Sequence, residues 1–158
     1  MAARELESID EIFESYYERG LTDGLPIIPP TPERVQEMLN ACGREPEEQL
    51  GVMPPNWVQA TVQKAAINAV MAGCKPEYFP VVLTTLEALT DEKFNLYGVQ
   101  ATTEPDGPMV IIHGPVRHQI GVNCGYNCLG QGHRANATIG RAVRLCLINI
   151  GGGRPGQT

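Results

Sequence analysis

The side chains best suited to chemistry concentrate between residues 121 and 150. Cys124 and Cys128 lie close together there, and His133 follows them after a glycine-rich turn. A thiolate is a good nucleophile, and a neighbouring imidazole or guanidinium favours its formation. We therefore take Cys124, Cys128 and His133 as the candidate catalytic residues. Buried cysteines are also common as inert small hydrophobic residues, and the C-x3-C spacing is wider than the C-x-x-C of redox proteins, so no single reaction follows.

The same stretch has the features of an anion-binding loop. Gly130 and Gly132 allow the backbone to approach a ligand, and Asn136 is placed to cap the next helix. The first turn of a helix offers unpaired N–H groups and the positive end of its dipole. A carboxylate or phosphate bound there would be held by Arg134, Asn136 and Thr138. The alternative is an ordinary glycine-rich loop before a capped helix, and the loop matches neither the Walker A nor the dinucleotide-binding pattern.

A third interpretation is a metal site. His118, Cys124, Cys128 and His133 supply two imidazoles and two thiols, a ligand set that zinc or another soft divalent ion accepts. Their spacing matches no standard zinc finger, and all four would have to converge from one loop. The sequence implies no other cofactor.

Charge is distributed unevenly along the chain. The net charge is −6, but no Asp or Glu occurs from Val110 to the end, where five arginines lie. This C-terminal third can attract a small anionic molecule although the whole chain is acidic. The chain has no cluster of basic residues interleaved with aromatics, which argues against nucleic acid as a partner.

Membrane and secretory signals are lacking in the sequence. No apolar run approaches the roughly 20 residues that span a bilayer, and the acidic N-terminus lacks the apolar core of a signal peptide. Five cysteines, an odd number without a regular framework, favour a reducing compartment. We therefore expect no membrane association and a cytoplasmic location.

Hydrophobic periodicity predicts the elements that position these residues. Helices are predicted over 5–19, 32–43, 57–73 (capped by Asn56) and 76–89, and a last helix follows Asn136. Alternating apolar residues predict two strands, over 97–102 and 109–113. Asp23, beside a glycine, is predicted to make an Asx turn. Asn68, late in an apolar helix, is predicted to be a packing amide with satisfied hydrogen bonds.

These elements give an α/β or α+β fold in a single domain, 1–158. Its N-terminal half, 1–92, is mainly helical, and 93–150 holds a small sheet and the glycine-rich loop that leads into a C-terminal helix. The glycine-rich end, 151–158, is predicted to be flexible unless a partner holds it.

Several motifs also resemble an uncharacterised bacterial protein family. The resemblance is carried by V-I-I-H-G-P-V and G-Q-G-H-R-A-N-A-T-I-G-R-A-V-R-L, and it extends over most of the chain, including D-G-L-P-I-I-P-P-T-P-E-R-V. It implies no established reaction. Members of that family look longer, continuing past the glycines at which this chain stops, so the resemblance suggests one subunit of a split enzyme, completed by a second polypeptide.

The sequence thus predicts an enzyme, or an enzyme subunit, acting on a small anionic metabolite, with Cys/His chemistry beside the anion. One alternative is a non-catalytic structural subunit of a hetero-oligomeric enzyme, and another is a Cys/His metal-binding protein. A second protein subunit or a homo-oligomer is the expected protein partner.

Overall fold

The computed structural model describes residues 8–104 and 106–157, and within them the fold is α+β, as predicted. The helices are α1 (Ile9–Glu18), α2 (Pro32–Cys42), α3 (Val62–Ala72), α4 (Phe79–Thr90), α5 (Leu96–Ala101), α6 (Val116–Gln119) and α7 (Arg134–Cys146). Two antiparallel strands, β1 (Gln49–Met53) and β2 (Val58–Thr61), form a small sheet between α2 and α3. No described helix has the length and apolar character needed to span a bilayer.

The first two helices each begin after a residue whose side chain caps them. Helix α1 begins at Ile9, later than the predicted start at residue 5. Ser8 caps α1 and exchanges hydrogen bonds with Glu11 in a capping box. Thr31 caps α2, whose first residue is Pro32, and Gly43 ends it in the left-handed conformation with φ 63°. Residues 5–7 of the first predicted helix lie outside the described residues.

The position of the sheet corrects the sequence prediction. Residues 57–61, predicted as the first turn of a helix, belong to the β1–β2 hairpin, and α3 begins only at Val62. Thr61 rather than Asn56 is its cap, since the Thr61 side chain accepts a hydrogen bond from the N–H of Lys64. Burial explains the strands: Leu50 and Met53 of β1 point into the core, although this stretch reads as a polar loop.

Neither predicted strand of the second half joins a sheet. The stretch predicted as the first strand, 97–102, instead contains most of helix α5, which starts after Asn95 in the left-handed conformation and buries Leu96. Six residues are too few to distinguish a period of two from a helical period. Residues 109–113 keep the expected alternation of exposed and half-buried side chains, but no described strand pairs with them.

The core is built on close contact of α3 with α7. Ala65, Ala66 and Ala69 have no exposed surface, and this small-residue face lets α7 approach. Joined through a 3-10 turn at Pro76–Tyr78, α3 and α4 form a helical hairpin. The largest side chains that are almost completely buried are Phe79, Met53, Leu83, Leu86, Leu145, Leu147, Val62, Val82 and Cys146.

A π-helical turn, Leu147–Gly151, follows α7 and connects it to the rest of the fold. It brings the amide of Asn149 to the carbonyl of Leu21 and to Oδ1 of buried Asn68, at 3.0 and 2.7 Å. Asn68 in turn donates to the carbonyl of Lys64. The prediction that Asn68 is a satisfied packing amide is therefore confirmed.

Gly151 begins the stretch predicted to be flexible, and it is buried in this structure. Its carbonyl accepts a hydrogen bond from the N–H of Asn56, and the N–H of Gly153 donates to Leu147. A side chain at Gly151 would collide with the carbonyl of Pro54. This glycine therefore permits the close approach of the chain end to the β1–β2 turn.

Arg141 joins α7 to the proline-rich stretch before α2. Its guanidinium donates to both carboxylate oxygens of Asp23, at 2.9 and 2.8 Å, and to the carbonyls of Leu25 and Pro26. Asp23 also makes the predicted Asx turn, to the N–H of Leu25. Burial by itself raises the pKa of Asp23, but the hydrogen bonds and charge of Arg141, helped by nearby backbone N–H groups, keep that pKa below its ordinary value.

We expect Asp23→Asn to lower the free energy of unfolding at pH 7 by roughly 1–3 kcal/mol, because Arg141 loses a charged partner in a partly buried site. The depressed pKa means that the unfolded chain binds the proton more readily. The ion pair therefore contributes fully above the unfolded pKa, and its contribution is lost as the pH falls through the folded value. Urea denaturation of the variant and the parent at pH 7 and at pH 3 measures this.

Glu37→Gln is the control, because Glu37 is exposed on α2, and we expect it to change stability by less than about 0.5 kcal/mol. The difference between Asp23→Asn and the parent should shrink at pH 3. An Asp23→Asn protein as stable as the parent at pH 7 would show that the pair contributes nothing.

Candidate functional site

A cleft runs along the first turns of α7, on a different side from the loops that Arg134 and Arg141 contact. Its volume is about 370 Å³, within the usual range for a small-molecule pocket. Four segments line it: residues 108–110 with Ile112, Val122 after α6, the glycine-rich loop at 128–130, and one side of α7. Most of the lining side chains are apolar, and Cys128 and Asn136 are the exceptions. We call this feature the α7 cleft.

Asn136 fixes the loop that forms one wall of the cleft. Its Oδ1 accepts from the N–H of Asn123, and its Nδ2 donates to the carbonyls of Asn123 and Cys128, all at 2.9 Å. The prediction that Asn136 caps the helix is wrong, because α7 already begins at Arg134. Asn136 lies within the first turn and reaches back to the loop.

The start of α7 lacks a side-chain cap. His133 occupies the cap position, and its imidazole accepts no hydrogen bond from the helix. The first bond into this turn joins Ala137 to the carbonyl of His133. Within the described part of the chain, the N–H groups of Arg134, Ala135 and Asn136 therefore have no acceptor. Three unpaired donors at a helix start attract an anion.

Two of the predicted anion-binding side chains make other contacts. Arg134 donates from Nε and Nη2 to the carbonyl of Gly73, at 3.2 and 2.9 Å, where α3 ends in a left-handed glycine with φ 85°. Thr138 donates to the carbonyl of Arg134 within α7. The sequence identified these residues as polar groups at a helix start, but it gave no sign that the end of α3 would lie beside them.

The loop itself is held by short-range hydrogen bonds. Asn127, in the left-handed conformation with φ 60°, donates to the carbonyl of Gln131, and Asn123 donates to that of Tyr126. A side chain at Gly130 would collide with Asn127, and Gly132 has a φ of 109°. The two glycines are thus required by the turn, whether or not a ligand binds there.

The three predicted catalytic residues do not form a hydrogen-bonded group. Cys128 is half-buried and lines the α7 cleft, whereas Cys124 is exposed, with Nη1 of Arg117 at 3.5 Å from its sulfur. His133 makes no hydrogen bond to either thiol in this structure. The sequence did not predict the contact of Arg117 with Cys124. Two features pointed to it: the residues are seven positions apart, and no acidic residue lies between them to compete for the guanidinium.

Cys74 and Cys146 are buried in the core. Burial raises the pKa of the Cys74 thiol to about 11, despite its hydrogen bond to the carbonyl of Thr138 and the nearby charge of Arg134. Burial, and secondarily Cys74, raise the pKa of Cys146 further still. Neither thiol is available as a thiolate near neutral pH.

The predicted alternative of a metal site is not supported by the geometry. Among residues 8–104 and 106–157, no three His, Cys, Asp or Glu side chains come together in a way that would hold a metal ion. His118 lies within α6, and His133 precedes α7 as its cap residue. Cys124 is exposed beside Arg117, whereas Cys128 lines the cleft. The four residues are close in sequence but the loop directs them apart.

Comparisons with protein-family models, with curated proteins and with solved structures gave no match to this chain.

We expect Asn136→Ala to release the loop, because three hydrogen bonds to Asn123 and Cys128 are lost together. Amide hydrogen exchange over 121–132 should become at least about tenfold faster, consistent with a local loss of about 1–3 kcal/mol. Iodoacetamide should also alkylate Cys128 faster than in the parent protein. Both effects are read by mass spectrometry of the native protein.

Buried Cys146 serves as the internal standard, since its labelling reports unfolding of the whole domain. Asn40→Ala is the matched control, because Asn40 is exposed on α2 and, among the described residues, its side chain accepts a hydrogen bond from Gln36 alone. If the loop exchanged equally fast in the parent and in Asn136→Ala, Asn136 would not be what holds it.

Proposed function

We propose that the protein is an enzyme, or one subunit of an enzyme, that acts on a small anionic metabolite bound in the α7 cleft. One observation carries the proposal: a cleft with apolar walls ends at an uncapped helix start and has the thiol of Cys128 in its wall. A ligand with an apolar body and one anionic group matches both parts of such a site.

Electrostatics support an anion at this end of the cleft. Ala135 and Asn136 both line the cleft, and their backbone N–H groups have no acceptor among the described residues. The helix dipole adds partial positive charge there, and no carboxylate occurs in the sequence after Asp106 to oppose it. Because Arg134 already binds the carbonyl of Gly73, we assign the main anion contact to backbone donors, with Arg134 as an exposed charge close by.

Cys128 is the reactive group that we assign to the cleft. Among the three predicted catalytic residues it is the one that lines the cleft, and half-burial shields it from bulk water. Cys124, beside Arg117 on the exposed side of the loop, and His133, at the start of α7, lie in the same segment and remain proposed participants. The reaction class awaits identification of the ligand.

Gly140 offers a direct test of ligand binding. It lines the cleft from α7, its φ is not positive, and a Cβ added to it meets no atom within 4 Å. Because the Cβ position is open and Gly140 lines the cleft, we expect a leucine side chain there to occupy space that a ligand would need. Either Ala or Leu should also stabilise the helix, by up to about 1 kcal/mol relative to glycine.

We therefore expect Gly140→Leu to abolish binding and Gly140→Ala to retain it. Native mass spectrometry of the purified protein identifies a small molecule that co-purifies. Thermal-shift measurements define the class of the ligand, by comparing carboxylates and phosphates with their uncharged amides or alcohols. Cys128→Ser should still bind the ligand but lose its turnover. Equal binding by Gly140→Leu and Gly140→Ala would exclude the α7 cleft as the site.

A non-catalytic, structural role within an assembly is favoured by a different observation. Residues 109–113 lie in no helix, strand or turn, and their backbone groups make no hydrogen bond to any described residue. Met109 and Ile111 are 70% and 66% exposed, although both are large and apolar. An apolar segment with unpaired backbone groups is a template for pairing with a strand of another chain.

If this segment pairs with another subunit, Ile111→Asn should weaken the assembly. The free energy of unfolding of the isolated chain should stay within about 0.5 kcal/mol of the parent value. Light scattering and native mass spectrometry of the purified complex measure the change in mass. Ile9→Asn is the matched control, because Ile9 is 72% exposed on α1. A complex whose mass is unaffected by Ile111→Asn does not use this segment.

A further inference from the structure

A second cleft lies where the β1–β2 turn meets the end of α4 and the start of α5. Its volume is about 260 Å³, and it shares no lining residue with the α7 cleft. Trp57 and Tyr97 line it together with two carboxylates, Asp91 and Glu92. We propose that this aromatic cleft binds a methylated ammonium, such as a quaternary ammonium compound. This inference is independent of the function proposed for the α7 cleft.

The aromatic rings provide the first part of the argument. Trp57 and Tyr97 stack with centroids 5.7 Å apart and an angle of 26° between the rings, yet they remain 62% and 48% exposed. The face of an aromatic ring carries negative potential and attracts cations, most strongly in the case of tryptophan. Two joined rings present such potential over a wider surface than one.

The backbone holds these rings in place at some cost. Trp57 has a φ of 55°, and Asn95, which also lines the cleft, has the same value. A bulky residue rarely adopts the left-handed region, so the surrounding structure must impose it on Trp57. The indole is thereby directed onto Tyr97 instead of into the core, where an aromatic of this size would ordinarily contribute more to stability.

The carboxylates provide the second part. Asp91 accepts a hydrogen bond from the N–H of Lys93 and caps the short turn that follows α4. Neither Asp91 nor Glu92 forms an ion pair with a Lys or Arg of the described residues. The Lys93 ammonium makes no ion pair there either, and Lys93 does not line the cleft. The cleft therefore combines aromatic faces with two negative charges that have no internal counter-ion.

The rest of the lining selects the kind of cation. Val52, Pro54, Leu89 and Leu96 add apolar surface. Methyl groups on the nitrogen spread its positive charge over an apolar surface. A methylated ammonium therefore packs against these apolar residues more favourably than a strongly hydrated ammonium does. Because Asp91 and Glu92 are exposed, solvent screens their charges and we expect weak binding. The positive charge of the ligand is attracted both by the aromatic rings and by the two carboxylates.

Trp57 is the only tryptophan of the chain, so its fluorescence reports on the cleft directly. Titration with choline at constant ionic strength should change the emission saturably. The control ligand is 3,3-dimethylbutan-1-ol, which has the shape of choline without its charge, and it should bind at least about threefold more weakly, as expected for the loss of a cation–π contact at an exposed site. Equal responses to the two compounds would overturn the proposal.

Two variants keep the reporter. Tyr97→Leu removes one ring, and Glu92→Gln removes one exposed charge without affecting a described hydrogen bond. Each should raise the dissociation constant for choline, whereas Glu37→Gln on α2 should leave it unchanged. Circular dichroism verifies that each variant is folded. If folded Tyr97→Leu and Glu92→Gln both bound choline as tightly as the parent, the aromatic cleft would not be the site of binding.

Discussion

The position of α7 depends on the hydrogen bonds that two of its arginines give to loop carbonyls. Arg134 and Arg141 are seven residues apart and therefore lie on nearly the same face of the helix. Arg134 binds the carbonyl of Gly73 at the end of α3, and Arg141 binds Asp23 and the carbonyls that follow it. A carbonyl at a helix end has no partner within its helix, and the dipole makes that end negative, so a guanidinium there satisfies both needs.

Because these arginines bind loop carbonyls, the polar groups that remain to contact a ligand in the α7 cleft are mainly backbone N–H groups. A guanidinium that is bound to Gly73 fixes α7 against α3, and the alanine face of α3 sets how closely they approach. Asn136, on another side of the same helical turn, then holds the loop that contains Cys128. The α7 cleft is thus bounded by elements that are tied to the core through few, specific hydrogen bonds, and its polar end consists mainly of backbone donors.

Local signals in the sequence predicted much of the fold, and the failures have a common cause. Thr31, Pro32 and Gly43 define α2, because caps act within a few residues of the helix end. The errors lie at Trp57–Thr61 and at Leu96–Ala101, where short stretches fit either period and the choice is made by packing. In β1 the burial of Leu50 and Met53 favours the strand, and this short segment between a charged stretch and two prolines gives no sign of that burial in the sequence.

The site was predicted less completely than the fold, because its contacts join distant parts of the chain. Arg134 and Gly73 are 61 residues apart, and Arg141 and Asp23 are 118 apart. Residue type and spacing identified the segment that contains Cys128 and the start of α7. They could not show that Arg134 binds a carbonyl, or that residues 108–110 with Ile112 supply the opposite wall.

Residues 109–113 belong both to the proposed ligand site and to the proposed assembly surface. Val110 and Ile112, which are half-buried, line the α7 cleft together with Met109, whereas Ile111 is 66% exposed and does not line it. Another cleft, of about 490 Å³, separates the same segment from α4, so few contacts fix it on that side. A strand paired to its backbone would immobilise one wall of the α7 cleft. Binding of a subunit and binding of a ligand would then stabilise the same arrangement, and each would strengthen the other.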